Sequence, residues 1–208
     1  MIKRIARELK QHLPFTALGA CSGILIMFLF VVGRVPSMIS VALFYICHPV
    51  HVVLSALVTT AMYLRYRKAR LWQGILVGWS GSIGIATLSD AIIPYLSGTL
   101  LQARMEFHIP FIEEWWINLL ALAGIALGYW KQTTKVPHFG HVLVSTWATL
   151  FYFTGFGIAD WIPLLPLIFL FLVLAVWVPC CTSDIVYPLL FVRKAPETFV
   201  PQRRETAL

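Results

Sequence analysis

Charge is scarce in this chain. Lysine, arginine, aspartate and glutamate together supply 12% of its 208 residues, hydrophobic residues supply 59%, and the mean hydropathy is +0.81. A soluble domain carries about twice that share of charge, so the composition excludes a water-soluble globular protein and points to an integral membrane one. Acids are scarcer than bases, nine against sixteen. No polar connection is long enough to form a soluble domain. No G-x-x-x-x-G-K-[ST] segment occurs, so ATP cannot power the chain through that motif. Cysteine is also sparse: Cys21, Cys47, Cys180 and Cys181 all lie in or beside apolar segments, where small buried side chains are expected rather than disulfides.

Apolar runs fill the remainder. A hydrocarbon core of about 30 Å needs about 20 apolar residues per helix, and six runs qualify: Leu13 to Val32, Phe44 to Leu64, Leu71 to Leu96, Ile112 to Trp130, His138 to Phe156 and Ile162 to Phe191. The basic start and the "LGAC" at Leu18 to Cys21 resemble a signal peptide with a lipoprotein box. The apolar run continues through Val32, however, past where a cleaved peptide would end.

Basic residues sort by connection. Lys3, Arg4, Arg7 and Lys10 precede the first run, and Arg65, Arg67, Lys68 and Arg70 separate the second and third. Lys131 and Lys135 separate the fourth and fifth, and Arg193, Lys194, Arg203 and Arg204 close the chain. Only Arg34 and Arg104 are left for the opposite side. The net charge of +7 therefore reads as topology, with both termini cytoplasmic in a plasma membrane, expected to be a bacterial inner membrane. The bilayer, rather than nucleic acid, is the expected partner, and a homo-oligomer is compatible with the sequence.

Within these runs the polar residues repeat in order. "HLPF" at His12 is answered by "HIPF" at His108. "HPVHVVLSALVTTAMY" from His48 is answered by "HFGHVLVSTWATLFYF" from His138, and "SDAIIPYL" from Ser89 by "SDIVYPLL" from Ser183. The offsets are 96, 90 and 94 residues, and the matches use all six histidines of the chain. The expected fold is all-α, six transmembrane helices as two three-helix repeats, 1–103 and 104–208, the second carrying the basic tail. An odd number of spans per repeat inverts the second copy in the membrane, so that residues of about 8–97 superpose on those of about 104–191 about an axis in the membrane plane. The third and sixth helices should be broken, because Pro94 and Pro188 cannot donate to the carbonyls of Asp90 and Asp184.

Inversion sorts the polar residues into two clusters of three histidines and one aspartate. His48, His51, Asp90 and His108 form the outer cluster, and His138, His141, Asp184 and His12 the inner one. Imidazole nitrogen with carboxylate oxygen is a ligand set for Zn²⁺, Fe²⁺, Mn²⁺, Co²⁺ or Ni²⁺, and His-x-x-His places two rings on one helical face. Glu106 and Glu8 are candidates to orient His108 and His12, and Glu113 and Glu114 to attract cations at the outer mouth. Ser55 and Ser145 read as packing residues and Asp160 as a solvated loop acid; Cys47 and the Cys180-Cys181 pair read as unreactive packing, with a softness that would favour zinc or a reduced metal if they reach a site. Gly74, Gly78, Gly81 and Gly84 read as a close-contact face. A single membrane histidine is ordinarily a neutral hydrogen-bonding group; eight residues paired by repetition favour metal or proton chemistry, since an acid in a span is costly. The expected function is a secondary transporter for a divalent transition metal, rather than an enzyme. The alternatives are a membrane-embedded metal-dependent enzyme on a lipid and a di-haem electron carrier.

Overall fold

The structure is a computed structural model describing residues 2–66, 70–131, 135–181 and 186–191, with side chains described except at 2–13, 15, 66, 135–139, 181 and 189. It is almost entirely helical. The chain begins with α1 (Ile2–Val32), α2 (Ser37–Tyr66) and α3 (Leu71–Thr87). A π-helical turn (Leu88–Ile92) joins α3 to α4 (Ile93–Leu100). After the short strand β1 (Arg104–Met105) come α5 (Pro110–Glu113), α6 (Trp116–Trp130), α7 (Lys135–Phe156), β2 (Gly157–Ile158), α8 (Leu165–Cys181) and α9 (Tyr187–Leu190).

Among the described residues, three helices are long and apolar enough to cross a membrane, and they match three of the six expected spans: Ser37–Arg65, Leu71–Leu100 and Ile162–Cys180. Thr16–Val32 and Trp116–Trp130 are apolar but shorter. The fifth run forms α7, whose first five side chains lie outside the described residues.

Hydrogen bonding rather than hydropathy sets the ends of these elements. α1 closes with the paired bonds Val35 N–H to Phe30 O (2.9 Å) and Arg34 N–H to Val31 O (3.1 Å), which put Arg34 at φ 51°. α4 closes the same way, Ala103 N–H to Gly98 O (2.9 Å) and Gln102 N–H to Thr99 O (3.0 Å), with Gln102 at φ 61°. Both are Schellman caps in which an ordinary side chain holds the left-handed position that glycine usually takes. The expected break in the third run is a single widened turn. Pro94 cannot bond to the carbonyl four residues back, and Ile93 N–H reaches five residues back, to Leu88 O.

The expected His12 and His108 correspondence meets unlike local structure. His12 sits inside α1, whereas His108 lies in a non-helical segment between β1 and α5. The tetrapeptides look alike, yet Pro14 is interior to a helix while Pro110 starts one, where its fixed φ and missing N–H suit the first turn.

α2 and α7 form the central pair. Thr154 bonds Ser40 (2.9 Å), Phe44 meets Tyr152, and His51 meets His141, so the two helices run antiparallel. α1 runs parallel to α7, through Ser22 with Trp147 and Phe30 with Phe151. α6 runs parallel to α2, with Gly124 against Ala56 and Gly128 against Thr60. α3 packs antiparallel to α6, Trp79 bonding Asn118 and Tyr129 reaching the Leu71 carbonyl. α3 also packs on α2, and α8 packs on α1 and α7. A two-residue antiparallel ladder, Arg104 opposite Ile158 and Met105 opposite Gly157, ties the end of α4 to the end of α7. Arg34 and Arg104 therefore lie at the end of the bundle where α7 finishes. Arg65, Arg70 and Lys131 lie at the other.

Gly74, Gly78 and Gly81 meet Tyr129, Thr60 and Thr59 as a close-contact face requires, but Gly84 departs from the expectation and has nothing within 4 Å of its Cβ position. Asp160 is exposed in the connection after β2, as expected.

Candidate metal centre

Asp90 is brought to the centre by the π-helical turn, which rotates it toward α2 and α7. It is fully buried and accepts four hydrogen bonds. On Oδ2 it receives His48 Nδ1 at 2.9 Å and His51 Nδ1 at 2.6 Å. On Oδ1 it receives Ser89 Oγ at 2.7 Å and Ser145 Oγ at 2.9 Å. A buried carboxylate without partners is costly by several kcal/mol, and these four donors from three elements answer that cost. Thr149 adds a fifth contact by bonding the Ser89 carbonyl of the same turn (3.1 Å).

The His-x-x-His spacing does what helical geometry requires: His48 and His51, nearly one turn apart on α2, reach one acid. With both Nδ1 atoms donating to the carboxylate, each ring turns an Nε2 lone pair away from it. His48 Nε2 is buried and has no hydrogen-bond partner among the described residues, and the ring stacks on Phe44 at 5.3 Å between centroids. His51 Nε2 faces Cys180 Sγ at 3.9 Å, and the His51 ring lies 4.7 Å from that of His141. Cys180 also donates to Ser145 Oγ at 3.5 Å.

Among the described residues, two triplets thus converge with their donor atoms within 4.8 Å: His48, His51 and Asp90, and His51, His141 and Cys180. All five residues are buried. Inversion of the repeats puts His51 and His141 in separate outer and inner clusters. In the structure they are neighbours, and His51 belongs to both triplets.

His108, expected beside His48 and His51, is engaged elsewhere. Its Nε2 bonds Tyr45 Oη (2.7 Å) and its Nδ1 bonds Glu113 Oε2 (2.5 Å), and Phe44 meets both its ring and that of His48. Glu113 rather than Glu106 orients this histidine; the Glu106 side chain is exposed and its carbonyl accepts from Tyr152 Oη (2.9 Å). Glu114 accepts from Trp116 Nε1 (2.7 Å). The side chains of His12, His138 and Glu8, and the whole of Asp184, lie outside the described residues.

Sequence reasoning missed Cys180 and Ser145 as partners of the centre. Cys180 had no spacing signal. The Ser55 and Ser145 pair did carry one, since both lie one turn beyond the histidines, and Ser145 bonds Asp90. Comparison with protein-family models, curated proteins and solved structures returns no match for this chain, so its functional reading rests on geometry alone.

Proposed function

We propose that the protein is a secondary carrier of a divalent transition metal, set in a plasma membrane with its termini on the cytoplasmic side. The observation that carries this reading is Asp90, a fully buried carboxylate at a broken helix, held by two histidines in the middle of the bundle. Carriers built of inverted repeats bind their cargo at the repeat interface, on interrupted helices near the membrane midplane. Several features support that architecture. α2 and α7 are antiparallel, and His51 and His141, partners at the offset of 90, meet where the two helices cross. Exchanging the halves leaves the pattern of neighbours unchanged: α1 on α7 becomes α6 on α2, α1 on α8 becomes α6 on α3, and α2 on α3 becomes α7 on α8. Two glycine pairs four residues apart, Gly19 with Gly23 and Gly124 with Gly128, occupy corresponding places. The first faces Thr146, and Gly124 faces Ala56, the partner of Thr146 at the same offset of 90. Val186, at the offset of 94 from Ile92, is π-helical as Ile92 is.

Among the described residues, His51 of the expected outer station and His141 of the expected inner one share a single centre. It also brings an enzyme forward as a second reading, favoured by the series Cys180 Sγ, His51 Nε2, His51 Nδ1, Asp90 Oδ2, which has the order of a nucleophile, base and orienting acid. The His51 and His141 rings are in contact, so no macrocycle fits between that pair.

Flux separates the readings. Proteoliposomes containing the untagged full chain should exchange Zn²⁺ or Co²⁺ across the bilayer. Asp90→Asn, which keeps shape and hydrogen bonding, should reduce exchange at least tenfold while the protein still elutes as a folded species. Unaltered exchange by that variant would remove the carrier reading. Metal binding without exchange would favour the enzyme.

A further inference from the structure

The two triplets are not equivalent as metal sites, and their distances choose between them. A tetrahedral ion bonded to nitrogen and oxygen at about 2.1 Å holds those atoms about 3.4 Å apart, and one bonded to nitrogen and thiolate sulfur holds them about 3.6 Å apart. His48 Nδ1 and His51 Nδ1 stand 2.9 and 2.6 Å from Asp90 Oδ2, which are hydrogen-bond lengths. An ion there would have to displace both protons and push the atoms apart. His51 Nε2 and Cys180 Sγ stand 3.9 Å apart, so an ion between them needs a contraction of a few tenths of an ångström. His141 completes this second triplet.

We propose that the ion is held by His51 Nε2, His141 and Cys180 Sγ, and that Asp90 is not a ligand but a positioning residue that fixes the tautomer and aim of His51. The inference rests on the carrier reading and names its cargo class: a borderline or soft cation such as Zn²⁺ or Co²⁺, bound by two imidazoles and one thiolate, in preference to oxygen-seeking Mn²⁺ or Mg²⁺. A ligating histidine ordinarily donates its other N–H to a carboxylate, which is the His51 to Asp90 bond at 2.6 Å. Ser145 joins the sulfur to the same acid, lying 3.5 Å from Cys180 Sγ and 2.9 Å from Asp90 Oδ1. On binding, the Cys180 S–H bond breaks, its proton leaves to the buffer, and the sulfur electron pair forms the metal–sulfur bond. No oxidant or reductant takes part. A fourth ligand would complete the tetrahedron.

Cobalt reports the ligand set directly. The detergent-solubilised full chain, free of any histidine tag, is titrated with Co²⁺ and followed by absorption. The intact protein should bind one Co²⁺ with intense tetrahedral d–d bands and a near-ultraviolet sulfur-to-cobalt charge-transfer band. Cys180→Ser should still bind Co²⁺, more weakly, and lose the charge-transfer band. Asp90→Asn should keep that band while its affinity falls about 10- to 100-fold, the usual effect of losing a partner to a ligating histidine. A bound ion lacking the sulfur band, or a band that survives Cys180→Ser, would overturn the assignment while leaving the carrier reading in place. No binding of Co²⁺ or Zn²⁺ by the folded intact protein would overturn both.

Discussion

His48 and His51 share one carboxylate oxygen but face different surroundings on their far sides. The His48 ring lies against Phe44, and His51 lies against His141 and Cys180. Their substitutions should therefore separate. His51→Gln should abolish Co²⁺ binding, whereas His48→Gln, which disturbs only the clasp on Asp90, should keep it with a loss of about tenfold; equilibrium dialysis of the two purified variants makes the comparison. The residues of the centre that were legible in the sequence are those with a spacing. His48 and His51 announce themselves by i, i+3 periodicity, Asp90 by the proline four residues on, and His141 by its offset of 90 from His51. Ser145 carried a signal in lying one turn beyond His141, but Cys180 was not legible as a partner, because its role depends on how far α8 slides against α2. Interhelical register leaves no mark in a one-dimensional pattern. The bond of His108 to Tyr45 was not legible for a related reason: the two lie 63 residues apart.

At the scale of elements, the apolar runs located the helices but not their ends. α1 starts at Ile2 rather than Leu13 and α2 at Ser37 rather than Phe44, because hydropathy measures the lipid-facing length while a helix continues until its backbone is capped. The caps at Arg34 and Gln102 carried no sequence signal, since neither is glycine or asparagine. The glycines offer a sharp test of the packing. A Cβ at Gly124 would strike the Val53 carbonyl oxygen and the Ala56 side chain, and one at Gly84 would meet open space. Gly124→Ala should therefore destabilise the bundle by about 1–3 kcal/mol through overpacking. Gly84→Ala should be neutral or stabilising by about 0.5–1 kcal/mol through backbone entropy. Thermal unfolding of both variants in detergent decides; equal losses would mean that the α2 and α6 contact is not as close as the structure has it.

For the whole molecule, the shortness of α6 beside the 30-residue α2 bears on the bilayer the protein would occupy. α6 has 15 residues, about 22 Å at 1.5 Å per residue, and Trp115 and Trp130 are exposed at its two ends. Indole rings anchor at the boundary between headgroups and chains. Across this face the anchors are closer together than the about 30 Å of an ordinary hydrocarbon core. Lipid beside α6 would be compressed, at a cost of fractions of a kcal/mol per ångström of mismatch, whereas α2, with 30 residues, could meet full thickness by tilting. The molecule would thus sit in a dimple of its own making, deeper on one flank than on the other. Reconstitution into lecithins of decreasing acyl-chain length should raise its melting temperature until the chains match α6 and lower it beyond that point, whereas a monotonic rise with chain length would show that the flank is not lipid-facing.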